Sequence, residues 1–173
     1  MSLFVVDVEA DGPIPHRYSM VCFAAVLVEP TLKETFYAKV KPISNEYVPS
    51  MLAVSGFTRE EHLTFDEPKD VMTCFKNWIL KNAKGRPIFV SDNVAFDWQW
   101  INYYFHYYLG ENPFGYSGKR IGDIYSGMVK NIFKGSEWKQ FRKTAYTHNP
   151  LNDAMGNAEA MLHLKEMGFI FPT

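Results

Sequence analysis

The chain's 173 residues are 47% hydrophobic and 21% charged, with a formal net charge of −1. That length fits a single domain, residues 1–173, with a core that needs no disulfide or metal staple. The near-neutral balance excludes a general polyanion binder held by net charge alone.

In chain order, Met1-Ser2 carries no signal-peptide pattern and leads directly into a strand. That strand, Phe4-Val5-Val6-Asp7-Val8-Glu9-Ala10-Asp11-Gly12, starts as a buried apolar run and yet holds two acids. Pro13-Ile14-Pro15 is a stiff turn. Tyr18 to Glu29 reads as a long strand, and its apolar stretch Met20 to Val28 is too short to span a bilayer. After Pro30-Thr31, a third strand from Leu32 to Lys41 alternates as a one-sided strand does. A short helix over Ser50 to Ser55 stops at Gly56. Asp66 caps a longer helix, with Pro68 in its first turn. An apolar stripe of Val71, Cys74, Phe75, Trp78 and Ile79 carries that helix to Lys81. Pro87 to Ser91 is a brief buried strand, and a helix follows from Val94 to Leu109, ending at Gly110. Asn112 to Gly118 is a loop, and Asp123 caps a helix reaching Phe133. Asn149-Pro150 opens the last helix, Leu151 to Met167, with Gly168 beyond it.

The order β-β-β-α-α-β-α-α-α implies an α/β fold with a mixed sheet, an antiparallel three-stranded meander followed by parallel pairing, and helices packed over it. Cys22 and Cys74 have apolar neighbours and read as small reduced core residues. A soluble cytoplasmic protein with no membrane contact is the expectation.

Side chains two apart on a strand share a face, so Asp7 and Glu9 leave the sheet together. Adjacent carboxylates in low dielectric share a proton or bind a cation, and an oxygen-only site suits Mg²⁺ or Mn²⁺; otherwise the pair sits solvated at a strand end. Asp97 falls in the first turn of a helix, where the dipole stabilises a carboxylate. That strand-to-helix junction is also where α/β sheets place ligands. His148 and Asp153 straddle the start of the last helix, the acid able to face inward and the loop imidazole able to take a proton near neutrality. Four carboxylates and one histidine fit a reaction in which two divalent ions about 4 Å apart activate water at a phosphate and the histidine is general base.

In order and spacing the chain resembles the DEDDh 3′–5′ exonucleases of the ribonuclease-H-like fold, the group that includes polymerase proofreading subunits and oligoribonucleases. Asp7-Val8-Glu9 looks like the first motif, Asn93-Val94-Ala95-Phe96-Asp97 like the second, and His148-Asn149-Pro150-Leu151-Asn152-Asp153 like the third. Val54-Ser55-Gly56-Phe57-Thr58 is similar to a helix-plus-glycine segment common between the first two. The resemblance runs from Phe4 to Met167. It implies a metal-dependent exonuclease that shortens single-stranded DNA or RNA from the 3′ end and releases nucleoside 5′-monophosphates. Asp7, Glu9, Asp97 and Asp153 would hold two Mg²⁺ or Mn²⁺ ions, with His148 as the base. Ala10, Asp11 and Gly12 would meet the terminal nucleotide, with Asn93 and Phe96 beside it. Many members carry threonines after the glutamate where this chain has Ala10-Asp11, so a hydroxyl contact would be missing, and Asp11 reads as a turn residue rather than a fifth ligand.

Asp92 reads as a strand-end residue. The aromatics from Phe96 to Tyr108 are expected to be mostly core, with Phe96 the exception. Lys119 to Lys143 holds seven basic residues against Asp123 and Glu137, either a phosphate-attracting flank or a solvated helix face. Two other functions fit the same residues: a two-metal phosphohydrolase acting on small nucleotides, and a catalytically silent nucleic-acid-binding module. The choice between DNA and RNA, and between monomer and homodimer, stays open.

Overall fold

The computed structural model describes residues 1–171. The strands are β1 (Ser2–Ala10), β2 (Met20–Leu27), β3 (Thr35–Lys39), β4 (Pro87–Ser91) and β5 (Gly118–Arg120), lying in the order β3-β2-β1-β4-β5. β1 to β3 form the antiparallel meander; β4 runs parallel to β1, and β5 parallel to β4. The expected mixed sheet, an antiparallel meander followed by parallel pairing, is therefore present, with five strands instead of the four that the sequence pattern predicts. Around it lie α1 (Pro49–Val54), α2 (Arg59–His62), α3 (Pro68–Asn82), α4 (Val94–Leu109), α5 (Ile121–Met128) and α6 (Pro150–Glu166). Single 3₁₀ turns occupy Ile132–Lys134 and Glu137–Phe141. No helix among the described residues is long and apolar enough to cross a membrane.

β1 is buried on both faces, and its alternation sorts the core in two. Phe4, Val6, Val8 and Ala10 face Phe75, Ile79, Trp100 and Tyr104 of α3 and α4. Leu3 and Val5 face Ile121, Ala154, Ala158 and Met161 of α5 and α6. Asp7 and Glu9 continue this second row, so the strand aims both acids at α6. Two irregularities shape the end of β1. Its pairing with β2 slips by one residue between Glu9 and Ala10, a bulge that re-aims the chain. Its pairing with β4 stops at Val5↔Val90, leaving the parallel strands to part beyond that point.

Several expected details differ. The fifth strand lies at the end of what reads as a loop, where Gly118-Lys119-Arg120 has no apolar signal. The acids expected as caps do not cap. α3 starts after Glu67, and the backbone of Asp66 instead bonds Lys41 beside β3. α5 starts after Arg120, and Asp123 in its first turn pairs with that arginine at 3.0 Å. α5 also ends at Met128 rather than Phe133, because Lys130 turns into the left-handed region (φ 55°). Cys22 is buried as expected, but Cys74 is exposed, on the solvent side of α3. The expected start of the last helix holds: the Asn149 side chain accepts from the Leu151 and Asn152 N–H groups, with Pro150 in the first helical position.

Candidate active site

α6 crosses the odd face of β1 and sets Asp153, in its first turn, over the two strand acids. One oxygen from each of Asp7, Glu9 and Asp153 lies within 4.8 Å of the others. Asp97 arrives from the opposite layer. Because β4 has left β1 by then, the Val8 N–H has no strand partner and donates to Asp97 Oδ1 at 3.1 Å. Asp97 is 3% exposed and Asp153 wholly buried.

Charge crowding governs the cluster. Burial, then the carboxylates of Asp97, Glu9 and Asp153, hold the Asp7 carboxyl well above the usual range. Burial and the Asp153 charge push Glu9 up to about 7. Burial also lifts Asp97 to about 8, against the opposing pull of the Val8 N–H. Crowding of this kind is relieved by a shared proton or by a bound cation. Asp153 gives the clearest sign of fit: its Oδ1 accepts from Arg142 Nη2 at 3.2 Å and the Thr147 N–H at 3.0 Å, while Oδ2 is buried with no partner. Hard oxygen donors with an uncommitted buried oxygen suit a divalent ion such as Mg²⁺ or Mn²⁺.

His148 stands at the mouth of the cluster. Its backbone is left-handed (φ 57°), its side chain is 51% exposed, and Nδ1 lies 3.9 Å from Glu9 Oε1. The edge of the Tyr146 ring packs against the imidazole, with centroids 4.6 Å apart. Burial, then the carboxylates of Asp7, Asp153 and Glu9, push the Tyr146 phenol up to about 12, so it stays protonated. The structure thus brings Asp7, Glu9, Asp97, Asp153 and His148 to one place from four separate elements and loops.

The expected nucleotide contacts fare differently. Ala10 is buried against the α3/α4 layer. Asp11 is not at the surface: its Oδ1 accepts from the Ser19 N–H and its Oδ2 from Arg59 Nη1 at 2.9 Å. Its carboxylate is therefore spent on a buried ion pair, and its backbone N–H on Ser19. Burial lowers the nearby His62 to about 4, so that ring is neutral at physiological pH. Gly12 is required by close packing, since a Cβ there would stand 2.0 Å from the Tyr18 ring. Asn93 is exposed at the N-terminus of α4 with its amide unused in capping. Phe96 is partly buried and packs edge-on against Trp100. Trp100, Tyr104 and Phe105 are wholly buried, as expected of core aromatics.

The basic flank resolves residue by residue. Arg120 pairs with Asp123, Lys134 with Glu137, Lys139 with Asp92 at 2.6 Å, and Arg142 with Asp153. Asp92 is therefore engaged next to the cluster rather than in it. Lys119, Lys130 and Lys143 have no acid partner among the described residues. Sequence reasoning missed Arg142, Tyr146 and Arg59 as individuals. The one available signal was Gly156, a glycine inside a helix one turn after Asp153.

No family model matches the sequence. The 3′–5′ DNA exonuclease Cap18 of Escherichia coli is 39% identical over 163 residues, which cover 89% of this chain and 86% of that protein. Among solved structures, the nuclease domain of 3′hExo, a DEDDh family member bound to rAMP, matches with a TM-score of 0.77 at 18% identity, covering 96% of this chain and 92% of its own. Cell-death related nuclease 4 (CRN-4) matches at 0.76 and 16% identity, covering 96% of this chain. E. coli exonuclease I in complex with a dT13 oligonucleotide matches at 0.68 and 15% identity, covering 95% of this chain. The match spans only 64% and 41% of those two proteins' own lengths. These structural likenesses establish a shared fold.

Proposed function

This chain belongs to the DEDDh family of 3′–5′ exonucleases, and on that premise we propose that it shortens single-stranded DNA from the 3′ end, releasing nucleoside 5′-monophosphates. In this reading Asp7, Glu9, Asp97 and Asp153 hold two Mg²⁺ (or Mn²⁺) ions and His148 is the general base. The observation that carries it is the meeting of Asp7, Glu9 and Asp153 within 4.8 Å, with a buried Asp153 oxygen left without a partner. DNA is favoured over RNA because the relative at 39% identity is a DNA exonuclease.

Bound divalent ions would supply Lewis acidity at the scissile phosphate and offset the four acids. The chain does the rest. Glu9, pushed up to about 7 by burial and the Asp153 charge, would give up its proton to hold a divalent ion near neutral pH. His148 stands on the exposed side, where its imidazole can accept a proton from the attacking water. The water oxygen bonds to phosphorus and the bond from phosphorus to the 3′ oxygen breaks. The electron pair leaves on the shortened strand, which is reprotonated from solvent, and the freed nucleotide keeps its 5′ phosphate. Burial of Asp97 and Asp153 keeps their carboxylates in fixed places during that exchange.

The test is a time course on end-labelled single-stranded DNA and RNA of matched sequence, with Mg²⁺, Mn²⁺ or chelator. A metal-dependent ladder receding from the 3′ end, faster on DNA, is the expected result. Faster loss of RNA would overturn the substrate. Hydrolysis confined to mononucleotides or dinucleotides would replace the exonuclease by a small-nucleotide phosphohydrolase.

A further inference from the structure

We propose that Arg142 is a positioning residue for the metal site: it holds Asp153 with one oxygen turned to the cations and, through Tyr146, steadies His148. This rests on the reading of Asp153 as a metal ligand.

Three observations converge on that side chain. First, the two oxygens of Asp153 are divided. Oδ1 is taken by Arg142 Nη2 and the Thr147 N–H, and Oδ2 is left bare. Arg142 and Asp153 side chains are 7% and 0% exposed, so the pair is shielded from competing water and its geometry is fixed. Planar guanidinium suits such a hold, and a flexible ammonium does not. Second, α6 makes room for it. A Cβ on Gly156 would stand 2.6 Å from Arg142 Nε and 2.7 Å from the Thr144 carbonyl oxygen. Glycine is a poor helix former, so its place in the middle of α6 is explained by the guanidinium beside it. Third, Arg142 reaches the base. Its guanidinium lies 5.2 Å from the Tyr146 ring centroid, and that ring abuts His148. The segment between is tied to α6 as well, because the Glu159 carboxylate accepts from the Lys143 N–H, the Thr144 N–H and the Thr144 hydroxyl. A single buried arginine therefore touches a ligand and the ring that touches the base.

The experiment is Mn²⁺ titration by calorimetry, without substrate, on wild type, D153N, R142A, R142Q, R142K and G156A, with thermal melts and steady-state kinetics on single-stranded DNA. We expect R142A to weaken Mn²⁺ binding by about 10-fold or more, within the range for groups that orient a ligand. Turnover should fall while KM for DNA stays within about threefold, since Arg142 acts on the reacting centre rather than on the strand. R142Q keeps a planar N–H donor and should recover most of the loss; R142K should not. G156A should copy R142A with the arginine still in the chain, and it carries the test if R142A fails to fold. Unchanged Mn²⁺ binding in folded R142A and G156A would overturn the proposal. So would full recovery by R142K with none by R142Q, because that pattern marks a charge effect without orientation. If wild type binds no Mn²⁺, the metal-site reading itself fails; if wild type binds and D153N does not, that reading stands whatever Arg142 does.

Discussion

Burial pushes the carboxyl of Glu9 up to about 7 and that of Asp97 up to about 8 in the folded protein, because it removes the water that would solvate their charges. In the unfolded chain the same groups titrate at the ordinary values of 4.5 and 3.8. Between those limits the folded state binds more protons than the unfolded one, so stability falls as pH rises. The penalty is absent below the unfolded values and complete above the folded ones. Melting of chelator-treated protein should therefore drop in temperature from about pH 4 towards pH 8, and Mg²⁺ should restore it at the alkaline end by binding only the folded state. A melting temperature that climbs with pH in chelator would contradict the crowding of these acids. Asp7→Asn removes one crowded, buried carboxyl, whose ionisation the fold penalises. It should raise the melting temperature in chelator at pH 8 and leave no measurable turnover with Mg²⁺; full activity in that variant would remove the two-metal reading. His148 is half exposed and holds little of the fold together. Its change to alanine should lower kcat by about 100-fold or more with the melting temperature unmoved, and an unchanged rate would point to a different base.

The site depends on how β1 ends. The bulge after Glu9 and the parting from β4 open a notch into which α4 can set Asp97. Asp11 then fastens that strand end to α2 and to the segment before α1, since Arg59 also donates to the Ser44 carbonyl and the Asp11 carbonyl accepts from the Val48 N–H. Arg59→Ala strands a buried carboxylate and should cost about 3–5 kcal/mol in urea denaturation; a loss under about 1 kcal/mol would mean the pair behaves as a surface bridge. The sequence made β1, β2, α4 and α6 legible because each carries a long apolar pattern with a clear stop. It hid β5, which is three residues of glycine and bases held by neighbours rather than by its own pattern. It also hid α2, a single turn within Arg59-Glu60-Glu61-His62 whose capping box with Thr58 does what periodicity does not. The five residues that meet at the candidate site stand in three short motifs, which the family resemblance singles out. Arg142 and Arg59 were not legible, because a charged residue that will be buried looks like any surface charge until its partner, far away in sequence, is known.

For the molecule as a whole, the sheet divides two cores and the acids sit on its rim where both layers end. Net charge of −1, and a flank in which only Lys119, Lys130 and Lys143 lack acid partners among the described residues, leave little long-range attraction for a polyanion. With about 0.7 counterions released per phosphate met in a single strand, the logarithm of DNA affinity should fall with that of salt concentration at a slope of about −2. A slope several times steeper in filter-binding titrations would reveal a larger basic track than this flank provides. The acids that meet are drawn from β1 and α6, elements that lie far apart along the chain. A fragment that stops short of Asp153 lacks the third acid of the cluster and the helix face that covers Leu3 and Val5, so the acid cluster and one of the two cores are completed by the same helix.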